Sequence, residues 1–205
     1  MTETLISFIL ATATLAFSPG PDNIFVLVQS IVNGKKYGLA TVLGLMTGCI
    51  IHTTLVAFGV SAILKQNESL FFTIKLFGAA YLLYLAYQVY KSDASITFST
   101  DNVSQKTPLQ LFKTGFWMNV LNPKVTIFFL AFFPQFLFSE TISTVIQFYV
   151  LGGLFIVTSF IIFSSIALLA GNISETIKQN KKIGIYLKWM QIVVFIAIAG
   201  LILLP

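Results

Sequence analysis

Two residues of opposite charge, Asp22 and Lys124, stand inside otherwise apolar runs of sequence. Apart from the titratable His52, they are the only ionisable groups near the middle of any such run. A charge at bilayer depth costs about 2.5–3.5 kcal/mol on insertion scales, so these residues should face a bundle interior, pair, or line a polar cavity. Each sits beside a helix breaker. Ser18-Pro19-Gly20-Pro21-Asp22-Asn23 sets two prolines around a glycine, and Asn122-Pro123-Lys124 follows Asn119 by about one turn. Proline removes a backbone donor and clashes with the preceding turn, and glycine adds backbone freedom. The chemistry on offer is recognition of a solute with two charged ends. Lys124 would meet a carboxylate, and Asp22 an ammonium group, or Asp22 would carry a coupling proton. The alternative is a buried ion pair that only holds two segments together. Asn23 and Ser18 either cap the first break or bind a ligand. Asn119 and Asn122 are the uncharged candidates at the second. His52, beside Thr53 and Thr54, relays protons or touches the solute, or else bonds a neighbouring carbonyl.

The elements that must position these groups are membrane helices. The chain has 205 residues, 57% hydrophobic and 9% charged, with mean hydropathy +0.90. A soluble domain is roughly one quarter charged. Crossing the hydrocarbon core takes about 20 apolar residues as a helix. Six runs qualify: Thr4–Ile31, Leu39–Leu64, Leu70–Tyr90, Leu111–Phe138, Val145–Ala170 and Ile183–Leu204. They are too long, and too uniformly apolar, for barrel strands. The first run carries Glu3 and no early Lys, and continues past Ala11-Thr12-Ala13, so it reads as a retained helix rather than a cleaved signal. The expectation is an all-α integral membrane protein, one transporter domain over 1–205, with a lipid bilayer as its medium.

All twelve basic residues are Lys. Lys35 and Lys36 follow run one. Lys91, Lys106 and Lys113 lie around runs three and four, and Lys178, Lys181, Lys182 and Lys188 around runs five and six. Positive loops stay cytoplasmic, which places both termini outside. Lys65 lies on the opposite face, and Lys75 is expected to snorkel to the outer interface. These charges sit in short loops with no reading domain, so nucleic acid is not a partner. A polar segment, about 92–110, separates a first half (about 1–91) from a second (about 111–205). Three helices per half give the halves opposite orientation, the arithmetic of two inverted repeats with runs one and four broken. Paired interruptions of this kind point to a transporter binding site. The register between the halves stays open, since Ser18-Pro19 or Pro21-Asp22 can be laid on the second break.

Other groups are less specific. Gly44 and Gly48 have a small-xxx-small spacing, for packing inside the protomer or for a dimer or gating contact. Gln29, Gln135 and Gln147 are candidates for cavity lining, and Trp117 and Trp189 for packing or interfacial anchoring. The Phe residues are spread over many faces and name no aromatic box. Cys49 and His52 are the only cysteine and histidine, so no metal site is read, and no cofactor. An enzyme would need a nucleophile–base pair or a metal triad, and neither is present in the sequence.

The chain resembles the LysE/RhtB family of bacterial amino-acid exporters. The resemblance is carried by six spans at this length and by Pro19-Gly20-Pro21-Asp22-Asn23 preceded by Ala16-Phe17-Ser18. Gly34 and Gly38 around a Lys pair, the glycines and His52 of run two, and Asn122-Pro123-Lys124 add to it. It implies an inner-membrane efflux carrier for amino acids or close derivatives, proton-driven exchange and a homodimer. A carrier of another solute, such as a metal cation, is the alternative, although Asp22, His52 and Cys49 are all the ligands it would have.

Overall fold

The computed structural model describes residues 1–18, 20–66, 68–93, 106–179 and 182–203. Pro19, Lys181 and the 94–105 stretch of the linker lie outside the described residues. Every regular element among the described residues is helical.

The first span is two helices, α1 (Thr2–Phe17) and α2 (Pro21–Val32), inclined at 60°. Ser18 and Gly20 are extended, and Pro21 occupies the first position of α2, where a missing N–H costs nothing and its fixed φ suits a helix start. Gly34, at φ +99°, turns the chain into α3, a conformation that favours glycine. α3 (Lys35–Leu55) runs on through a π-helical turn, Val56–Val60, into α4 (Ser61–Gln66), and α5 (Glu68–Lys91) returns.

The second half repeats the order of bent pair, long helix and closing helix. α6 (Pro108–Val120) starts three residues earlier than the sequence run, because Thr107 and Gln110 form a capping box and Pro108 opens the helix. α7 (Pro123–Ile127) follows, passing through a π turn at Phe128–Phe132 and a 3₁₀ turn at Phe133–Phe136. The segment from Pro123 is inclined at 49° to α6. Then come α8 (Thr144–Leu168), α9 (Ala170–Gln179) and α10 (Lys182–Leu203). Among the described residues, four helices are long and apolar enough to span a membrane, and up to six spans result when each bent pair counts as one.

Packing runs between the halves. α3 lies along α6, α1 and α2 lie against α8, α5 against α10, and α3 also against α8. Glycines set the closest approach. A Cβ on Gly44 would collide with the Phe112 carbonyl and one on Gly115 with the Thr41 carbonyl, while at Gly48 it would come within 2.7 Å of Asn119 Oδ1. The Gly44–Gly48 spacing therefore serves contact with α6 inside the protomer. Lys75 departs from the expectation of snorkelling: it is buried, at 9% exposure. It lies one turn from Gly78, on the face that α5 presses against the π turn at Ala131.

The phenylalanines are less dispersed than their spacing suggests. Phe8, Phe128, Phe129, Phe132, Phe133 and Phe148 are fully buried. Phe129 stacks on Phe133 at 4.0 Å, Phe128 on Phe132 at 4.5 Å, and Phe8 meets Phe133 edge-on at 5.0 Å. Phe155 of α8 joins the cluster at 4.9 Å from Phe129. Trp117 and Trp189 are exposed, and Trp189 packs edge-on against Tyr90.

Candidate functional site at the two helix breaks

A proline at position i leaves the carbonyl of residue i−4 without its helical donor. Each break here must therefore find substitutes, because an unpaired backbone group away from water is expensive. At the second break, Pro123 orphans the Asn119 carbonyl. His52 Nε2 donates to it at 3.0 Å, joined by the Asn122 amide, also at 3.0 Å. A carbonyl only accepts, so Nε2 carries a proton. At the first break, Asn23 Nδ2 reaches back seven residues to the Ala16 carbonyl at 2.8 Å. Of the alternatives for His52 and Asn23, the geometry displays the backbone bond in both cases. The Ser18 hydroxyl is buried and has no hydrogen-bond partner among the described residues.

The breaks meet through Asn122. Its Oδ1 accepts from the Lys124 amide at 3.0 Å and so caps α7. Its Nδ2 donates to Asp22 Oδ2 at 3.0 Å, across one hundred residues of chain. Asp22 sits in the first turn of α2, where the unpaired amides favour negative charge. Lys124 is not in contact with Asp22. Its Nζ lies over the Phe195 ring, 4.9 Å from the centroid, and near Gly20, where a Cβ would stand 3.7 Å from it. The two charges thus face a common space without forming a contact pair.

That space is a cavity of about 40 Å³, enough for a few water molecules by the usual requirement of about 10–15 Å³ each. Both break segments line it, through Gly20, Pro21, Asp22 and Asn23 and through Asn119, Asn122 and Lys124. The remaining wall comes from Leu15 and Ala16, from Leu45, Met46 and Cys49 of α3, and from Phe155, Ser159 and Phe163 of α8. Of the residues expected at the site, Asp22, Asn23, Asn119, Asn122 and Lys124 come together here, with Gly20 and Pro21. His52 is buried one layer behind, against Phe129, and holds Asn119 from the rear.

The three glutamines do not line the cavity. Gln29 bonds Asn33, Gln135 donates to the Ile202 carbonyl, and Gln147 satisfies the turn at 138–142 with both ends of its amide. The contribution of α8, with Phe155, Ser159 and Phe163 at successive turns, was not visible in the sequence. Its only signal was a serine in a 25-residue apolar helix.

Among described residues, no three of His, Cys, Asp and Glu group together as a metal site would require. What the arrangement offers is one carboxylate, one ammonium group and amides around a confined space, a donor set matched to a small solute with opposite charges.

The chain is similar to several known proteins. The family model described as LysE type translocator matches residues 13–204. The homoserine/homoserine lactone efflux protein of Salmonella typhimurium is 32% identical over 176 residues, covering 86% of this chain and 84% of that protein. An uncharacterized membrane protein of Vibrio cholerae is 33% identical over 151 residues, 72% of this chain and 71% of its own. The uncharacterized membrane protein YrhP of Bacillus subtilis is 32% identical over 145 residues, 66% and 68% respectively. No solved structure matches.

Proposed function

The chain belongs to the LysE type translocator family, and from that premise we propose that it exports an amino acid or close derivative across the bacterial inner membrane, in exchange for protons, by alternating access. The observation that carries this reading is the cavity where Asp22 and Lys124 face each other out of contact, each on its own broken helix. A carboxylate and an ammonium group held apart can each take the opposite end of an amino acid. A contact pair would have spent both charges on each other. The name of the Salmonella relative, a homoserine and homoserine lactone efflux protein, supports a small substrate of this class.

Alternating access is supported by the way the halves are built. Each is a bent pair followed by two helices, and each bent pair packs on the long helix of the other half. The two halves are inverted repeats in this reading, rocking about the cavity. The cavity is too small for more than water, so an amino acid enters only when the halves part. On one side the Phe8, Phe128–Phe133 and Phe155 cluster closes the bundle. Asp22 carries the proton of exchange, as the one carboxylate lining the cavity. The lysine pattern supports cytoplasmic odd-numbered loops with both termini outside.

The test is counterflow in proteoliposomes. Vesicles loaded with one amino acid at a time are diluted into labelled tracer, with and without an imposed pH gradient. Tracer accumulation driven by one or a few small amino acids, and increased by the gradient, is expected. No exchange with any amino acid, from protein shown to be folded, would refute the substrate class. Exchange indifferent to the gradient would refute the proton step alone.

A further inference from the structure

Many hydroxyl groups on these helices are committed to their own backbone. Thr47, Thr53, Thr54, Thr114, Thr126, Ser30 and Ser165 each donate to the carbonyl four residues earlier, at 2.7–3.1 Å. This satisfies the donor without any partner from another helix. Five buried hydroxyls among the described residues, on Thr12, Ser18, Ser61, Ser164 and Ser159, do otherwise, and of these only Ser159 lines the central cavity. Its side chain is 1% exposed, its hydroxyl has no hydrogen-bond partner among the described residues, and it lines the central cavity. It is the one hydroxyl among the described lining residues. Asn119, 4% exposed, lines the same cavity, but its Oδ1 is turned towards Gly48 and the Cys49 thiol of α3. Leaving buried polar atoms unpaired is costly, and native structures rarely do it without a reason.

The other polar groups of the cavity have assigned work. Asn122 uses both ends of its amide, and Asn23 Nδ2 holds Ala16. Asp22 and Lys124 suit the ammonium and carboxylate that every amino acid shares. Ser159 remains for whatever distinguishes one amino acid from another. A serine hydroxyl both donates and accepts. The smallest side-chain group that can meet it both ways is another hydroxyl. Phe155 and Phe163 stand one turn on either side of Ser159 on the same face of α8, so the space beside it is bounded by two phenyl rings and admits a short side chain.

We infer that Ser159 is a specificity-determining contact, reading a hydroxyl on the short side chain of the transported amino acid. The inference rests on the proposed function, since it assigns the substrate side chain within that site.

The experiment compares hydroxylated amino acids with apolar isosteres as competitors in counterflow: serine with 2-aminobutyrate, threonine with valine, homoserine with norvaline. Wild type should prefer the hydroxylated member of at least one pair by about tenfold, the upper range for one hydrogen bond. Ser159→Ala should bring that ratio close to one by weakening the hydroxylated member, leaving the isostere unchanged. Ser159→Thr, which keeps the hydroxyl, should retain the preference. An unchanged ratio in Ser159→Ala overturns the inference and leaves the exporter reading standing. Equal weakening of both members overturns it too, because that is the signature of lost packing. No exchange of any amino acid by wild type sinks the exporter reading, and this inference with it.

Discussion

Asn122 is the residue whose substitution discriminates most sharply, because one amide serves two elements. Its Oδ1 caps α7 and its Nδ2 holds Asp22 across the interface of the halves. Serine caps a helix about as well as asparagine but cannot reach Asp22. Asn122→Ser should therefore lose only the bond to the carboxylate, about 1.5–3 kcal/mol for a hydrogen bond to a charged group. Asn122→Ala should lose the cap as well, a further ~1 kcal/mol. Asn122→Asp keeps the cap but sets two carboxyls against each other, so it should also destabilise. Combining it with Asp22→Asn restores an amide facing a carboxylate with the roles exchanged. That double variant should recover most of the stability, a coupling of about 1.5 kcal/mol or more between residues in contact. Reversible unfolding in mixed micelles, titrated with a denaturing detergent, measures these four variants and Asp22→Asn alone, which completes the cycle. Stability of Asn122→Ser within about 0.5 kcal/mol of wild type would refute a structural role for the bond, since that is the scatter of uninvolved surface sites. A double variant no better than the sum of its parts would refute the pairing.

Three further outcomes are expected. Gly44→Ala should be destabilising by about 1–3 kcal/mol or more, as overpacking against a backbone carbonyl that cannot rotate away. Gly153→Ala, with open space at its Cβ, should be neutral or stabilising by up to ~1 kcal/mol, and the same unfolding titration ranks the two. His52→Phe should cost about 0.5–1.5 kcal/mol by removing one of the two donors to the Asn119 carbonyl, whereas His52→Gln should retain part of that stability. Exchange activity in His52→Gln well below its folded fraction would instead give His52 a part in transport. Lys124→Met should abolish counterflow of amino acids that carry a free carboxylate while the protein still inserts. Normal transport by the Asp22→Asn/Lys124→Met double variant would reduce the two charges to a structural feature.

How much of this was legible in the sequence depends on what each feature needs. The two breaks were legible because proline acts through local covalent geometry, and the cost of charge in lipid directed Asp22 and Lys124 to an interior; the cap from Asn122 and its bond to Asp22 were not legible, because they depend on how the halves dock. The partners of Asn23 and His52 were not either: Asn23 reaches Ala16 through the angle between α1 and α2, and His52 reaches Asn119 through the docking of α3 on α6. The buried Phe cluster was hidden because residues 127–133 are apolar throughout and show no face. The π turns that aim those rings inward leave no mark in composition. Lys75 looked like an interfacial lysine because its distance from the run's end was readable, while the docking of α5 at Gly78 was not. Ser159 could not be distinguished from the other serines, since only its place on the cavity wall sets it apart.

The central claim is that Asp22 belongs to the transport site. Its most direct test is amino-acid counterflow by Asp22→Asn, which keeps the side chain's shape and an acceptor for Asn122 and removes only the titratable charge. The account predicts folded, inserted protein in which exchange, and its response to a pH gradient, are lost. Wild-type flux with an undiminished gradient response in that variant would contradict it.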